Sequence, residues 1–118
     1  MAHEFHEREL GRHYLTAYPL LTVAEVELSR GQFAAGLDLA AEAYDILSET
    51  LPAGHTSTWV ARCRRGRGRF ETGMQEAGLE GMQLASAALD VSTYGPQHPY
   101  PTECREALAA ARGRVASR

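Results

Sequence analysis

The chain contains a near-copy of itself. The stretch "GQFAAGLD" begins at Gly31 and "GMQEAGLE" at Gly73, and they share Gly, Ala, Gly, Leu and an acid in register, 42 residues apart. A second marker keeps the same spacing. His13, His55 and His98 lie 42 and 43 residues apart, and His13 and His55 each stand 18 residues before the glycine that opens the shared motif. A period of this length means that each unit is one supersecondary element that buries its apolar face on the next copy. A chain of 118 residues has room for one domain of two such units and part of a third.

Each unit reads as two helices. In "QFAAGLDLAAEAYDILSETL", Phe33, Leu37, Ala40, Tyr44, Leu47 and Leu51 recur in steps of three and four, and the segment is free of Pro and rich in strong helix formers. Its counterpart keeps Leu79, Met82 and Leu89 on the same stripe but carries Gln75 and Ser86 where the first copy has Phe33 and Tyr44. The loops "LPAGH" and "YGPQHP" supply Pro and Gly between helix pairs. The expected fold is all-α, roughly 65–75% helix with no strand. A first A helix is expected near 18–30, because Pro19 either opens or kinks it. A B helix follows at 33–50, a second pair at 56–72 and 75–92, and a terminal A helix at 99–115. The domain divides into an N-terminal helical segment over 1–17, repeat 1 over 18–54, repeat 2 over 55–97 and a terminal helix over 98–118.

This arrangement resembles the tetratricopeptide repeat, in its long variety of about 42 residues found in kinesin light chains and bacterial signalling proteins. "YGPQHP" is similar to the family's inter-repeat loop, Val23-Ala24 and Leu108-Ala109 fall at its Leu-Ala position, and Gly31 and Gly73 match its turn glycine. The chain departs from the pattern where His13 and His55 lack a following Pro and where Arg65-Gly66 replaces Leu-Ala. The resemblance implies antiparallel hairpins stacked as a short right-handed superhelix whose A helices line a concave surface. It also implies a module that binds other proteins.

The charge distribution gives that surface a candidate site. The chain has a net charge of −3, yet "WVARCRRGRGRF" at 59–70 holds five of its twelve arginines. On a helix, Trp59, Cys63, Gly66 and Phe70 form an apolar stripe, with Arg62, Arg65 and Arg69 on one flank and Arg64 and Arg67 on the other. An unstructured Arg-Gly segment has no reason to keep that phase, so the stretch is expected to be the second A helix. Gly66 occupies a position where helices approach closely; nothing in the sequence accounts for Gly68, which costs about 1 kcal/mol against Ala in a helix. The five arginines, Arg62, Arg64, Arg65, Arg67 and Arg69, are the candidate partner-binding residues. Guanidinium groups favour an acidic or phosphorylated peptide or a carboxylate terminus. The competing reading is a solvated face whose charges neighbouring acids neutralise.

Other functions find less support. One basic island among fifteen acids offers few phosphate contacts, so nucleic acid is not the expected partner. No phosphate loop, nucleophile elbow or paired carboxylates are apparent, so no enzyme activity and no cofactor are expected. His3, His6 and His13 lie among Glu4, Glu7 and Glu9, with His6 and Glu9 one turn apart, but the pattern is not HExxH and reads as a polar helix end. His55 and His98 read as helix-start residues. Cys63 and Cys104 match no zinc spacing and are expected to be reduced, with Cys63 a small buried hydrophobe, in a cytoplasmic protein without a membrane span. Two units and a terminal helix leave apolar faces uncovered, so a homodimer is expected. The main alternative to an adaptor is a structural or oligomerisation domain of a larger assembly; weak nucleic-acid or metal binding is a third.

Overall fold

A computed structural model describes residues 13–95 and 97–117. Five helices account for 81% of the described residues, with no strand among them. They are α1 (Tyr14–Ser29), α2 (Phe33–Thr50), α3 (Thr56–Glu71), α4 (Gln75–Asp90) and α5 (Pro99–Ala116). Helices α1 and α2 form one hairpin, α3 and α4 a second, and α5 packs on both members of the second. The expected all-α architecture of stacked hairpins is the one observed.

The histidine marker stands at the start of each A helix, and the glycine marker at the end of the first two. His13, His55 and His98 are the N-caps of α1, α3 and α5, all in extended backbone geometry. In each, Nδ1 accepts a hydrogen bond from the backbone N–H two residues on: Leu15 at 3.1 Å, Ser57 at 3.1 Å and Tyr100 at 3.2 Å. A helix leaves its first N–H groups unpaired, and a capping acceptor satisfies one of them. Gly31 and Gly73 follow the C-caps of α1 and α3 with φ of 80° and 105°. Gln32 and Met74 then donate back to the carbonyls of Glu27 and Arg69, both at 2.8 Å. This is the six-to-one bond of a Schellman turn, and its left-handed residue is most readily a glycine.

Helix α1 begins at Tyr14, not near residue 18. The His13 cap sets the start, and Thr16 reinforces it by donating its hydroxyl to the His13 carbonyl at 2.6 Å. Pro19 then sits inside the helix. Its missing N–H deprives only the carbonyl of Leu15, a residue 59% exposed, so the deficit falls on the solvent side. The N-terminal helical segment expected over 1–17 therefore has its last four residues in α1, and residues 1–12 lie outside the described part of the chain.

Two apolar clusters flank α3. One joins Ala17 and Leu21 of α1 to Ala43, Ile46 and Leu47 of α2 and Ala61 of α3. The other joins Val60, Cys63 and Phe70 to Met82, Ala85 and Leu89 of α4 and Cys104, Leu108 and Ala111 of α5. Helix α3 is thus covered from both sides, and Arg64, Gly66 and Gly68 are buried along with its apolar residues. The buried line of α2, Gly36–Ala40–Ala43–Leu47, is turned from the expected stripe, because α2 packs between α1 and α3 and not against one neighbour; Phe33, Leu37 and Tyr44 are half-buried.

Small residues set the helix spacing. A Cβ on Gly36 would lie 2.7 Å from the Leu28 side chain. A Cβ on Gly78, its equivalent 42 residues on, would lie 2.6 Å from the Gly66 carbonyl oxygen and from the Phe70 backbone nitrogen. Gly68 acquires a reason that the sequence did not show: its Cβ would lie 2.7 Å from the Leu37 Cβ and 2.9 Å from the Leu37 Cα. Interiors packed to crystal density leave no room for an added methyl at such points.

The cysteines correct the expectation of reduced, unpaired thiols. Cys63 and Cys104 are both buried, as expected of Cys63, but they form a disulfide between α3 and α5 with Cα atoms 6.1 Å apart. Their sequence separation of 41 is close to the repeat length, so stacking brings them face to face. Closing a loop of that length contributes about 4 kcal/mol in the chain-entropy account. Among the described residues, no helix is long and apolar enough to cross a membrane.

Candidate functional site

The A helices α1, α3 and α5 face a common groove of about 950 Å³. Thr22, Glu25 and Ser29 of α1 form one wall, and Tyr100, Glu103, Glu106 and Arg114 of α5 the other. The floor is Arg64, Arg67 and Phe70 of α3. The arginines of α3 separate onto two flanks, as the helical spacing predicts. Arg64 and Arg67 line the groove, whereas Arg62 lines a smaller cavity on the opposite side, with Arg65 stacked on Tyr44 of α2. Arg69 belongs with Arg65 and Arg62, since both of those neighbours repel Arg65 electrostatically. The five candidate arginines therefore do not form one patch.

Arg64 is committed to the fold. Its side chain is 6% exposed. Nε and one Nη donate to the two carboxylate oxygens of Glu103, both at 2.8 Å, and the other Nη donates to the Leu21 carbonyl at 3.0 Å. The guanidinium also lies over the Tyr100 ring at 5.4 Å. One residue of α3 thus holds α1 and α5 in place. Burial alone would lower the Arg64 pKa, but the hydrogen bond and charge of Glu103, aided by Tyr100 and Glu25, outweigh it and push the pKa upward. Arg114, further along the groove, is paired with Glu71 and lies 5.1 Å over the Phe70 ring.

Arg67 is different. It is half-buried at the groove floor and makes no hydrogen bond or ion pair among the described residues. With Arg64 and Arg114 compensated, it is the remaining cation of the groove. Glu25 accepts a hydrogen bond from Ser29 at 2.7 Å, and Glu106 is exposed on the α5 wall. In all, three arginines and four glutamates line the groove, so it is a mixed surface and not a basic trough. Such a surface offers one cation at Arg67 and carboxylates at its walls.

Sequence reasoning missed Glu103 and Tyr100 as groove residues and, though it counted Glu71 among the acids that could neutralise the α3 arginines, missed its pairing with Arg114. The signal was present in the spacing: Glu103 follows Arg64 by 39 residues and Arg114 follows Glu71 by 43, both near one repeat length. The histidine-glutamate cluster read in the N-terminus reaches the described residues only at His13, whose Nδ1 caps α1. Among the described residues, no group of three or more His, Cys, Asp or Glu is placed to hold a metal ion.

No family model, no curated protein and no solved structure matches this chain. The geometry of the groove itself yields a prediction. Glu103→Gln leaves Arg64 buried without its countercharge and is expected to lower stability by about 2–3 kcal/mol, less than a fully buried pair because Glu103 is 25% exposed. Replacing both residues by Met is expected to recover most of that loss. Denaturant unfolding of the single and double variants checks it.

Proposed function

We propose that this chain is a non-catalytic interaction module of the tetratricopeptide type that binds a segment of a partner protein in the groove between α1, α3 and α5. The observation that carries the reading is the uncompensated Arg67 at the centre of a groove whose other arginines are engaged. The sequence suggested an acidic partner; the lining of the groove supports a segment that places one Asp, Glu or phosphate on Arg67 with Lys or Arg on either side, facing Glu25 and Glu106. Three capped A helices at repeat spacing support the family resemblance. The buried disulfide fits an oxidising environment better than the cytoplasmic one that unpaired cysteines suggested.

Peptides selected from a random library against the intact protein are expected to share an acidic position flanked by basic ones. Arg67→Gln should weaken them about tenfold or more, the worth of a charge-assisted hydrogen bond, with the circular dichroism spectrum unchanged. Selected peptides without an acidic position, or unaltered binding by the variant, would overturn the reading.

A second reading, self-association, is favoured by the outer face of α1, where Leu15, Val23 and Val26 are 59%, 46% and 43% exposed and share one side of the helix. Two copies joined through this face form a two-fold dimer that covers it. Light scattering at tens of micromolar is expected to give twice 12.9 kDa, and Val23→Glu to give the single-chain mass. A wild-type mass of 12.9 kDa contradicts the dimer.

A further inference from the structure

Three buried polar atoms on the side of α3 away from the groove have no hydrogen-bond partner: Thr58 Oγ1, Arg62 Nε and Arg65 Nε. Such orphans are uncommon, and each costs about 1–3 kcal/mol when left dry. Two of the three residues, Thr58 and Arg62, line the same cavity of about 260 Å³ between the end of α2 and the start of α3. Its apolar walls are the rings of Tyr44 and Trp59 and the loop residues Leu51 and Pro52, and no Asp or Glu is among the described residues that line it.

We propose that this cavity is a binding site for a small monocarboxylate carried on a flat apolar body, with Thr58 and Arg62 donating to the carboxylate and Tyr44 and Trp59 enclosing the ring. Four observations lead there. The cavity offers a cation and a hydroxyl without a built-in countercharge, which selects an anion. Two of the residues with an orphan donor line it, and a carboxylate has two oxygens to accept from them. Its two aromatic walls give a ring stacking surfaces. Its volume lies just below the ~300–1,000 Å³ of sites for drug-sized ligands, so one ring and one acid group fill it.

The surrounding charges favour the same occupant. Arg62 lies 5.4 Å from the centre of the Trp59 ring and Arg65 4.0 Å from that of Tyr44, so both guanidiniums are held beside the ligand walls. Burial, Arg69 and Arg62 push the Arg65 pKa down, with Tyr44 and Asp45 opposing. An anion at Arg62 relieves that repulsion among three arginines. The site is separate from the groove, so a ligand here occupies the protein without competing for Arg67.

Trp59 is the sole tryptophan of the chain, so its fluorescence reports the cavity directly. Titrating the intact protein with phenylacetate is expected to give a saturable change with a low-millimolar Kd, the range open to so small a ligand. Phenylacetamide, the neutral isostere, and acetate, which lacks the ring, should each bind about tenfold or more weakly. Arg62→Gln should weaken phenylacetate about tenfold, Thr58→Val a few-fold and Arg67→Gln not at all, each checked for unchanged helicity. Equal binding of phenylacetamide and phenylacetate, wild-type affinity in both Arg62→Gln and Thr58→Val, or no saturation by about 20 mM would overturn the proposal.

Discussion

The fold depends on how closely the helices approach one another, above all on α3. In each hairpin, the second glycine of the repeated motif, Gly36 or Gly78, presses onto the preceding helix where a side chain would collide. In the second hairpin both sides of the contact are glycine, since Gly66 faces Gly78. Gly68, about half a turn from Gly66 on the helix, performs the same service toward Leu37 of α2. Two glycines inside one helix cost about 2 kcal/mol in propensity, and the packing of α3 between two hairpins offsets that cost.

That central position explains the fate of the arginines. A helix covered from both sides has little free surface, so its cations either find partners within the fold or end at a cavity. Arg64 is of the first kind, bound to α5 through Glu103 and to α1 through the Leu21 carbonyl. Together with the Cys63–Cys104 disulfide, it fixes the relation of the A helices that form the groove walls. Arg67 and Arg62 are of the second kind, one opening into the groove and the other into the smaller cavity. A single Arg-rich helix thereby supplies the fold with an internal clamp and places cations on two chemically distinct faces.

The features legible in the sequence were those with local causes. The histidine register located helix starts because capping needs only a side chain and an N–H two residues away, and the Gly31 and Gly73 register located helix ends because a left-handed turn residue is itself a local requirement. The bounds of α2 were read to the residue. Pro19 misled because propensity placed a start at a proline, while the His13 cap six residues earlier governed. The rest required knowing what faces α3. Nothing near Gly68 in sequence indicates Leu37, nothing near Cys63 indicates Cys104, and a helical wheel puts Arg64 and Arg67 on one flank without showing that only Arg64 meets a carboxylate.

The claim that glycine contacts on α3 set the spacing of the hairpins is tested most directly by comparing two Gly→Ala changes within helices. Gly113 on α5 has open space around it, so Gly113→Ala should raise the unfolding free energy by up to about 1 kcal/mol, the propensity gain. Gly68→Ala makes the same chemical change against the backbone of α2 and should lower stability by about 1–3 kcal/mol despite that gain. Equal stabilisation by both substitutions in denaturant unfolding would contradict the account.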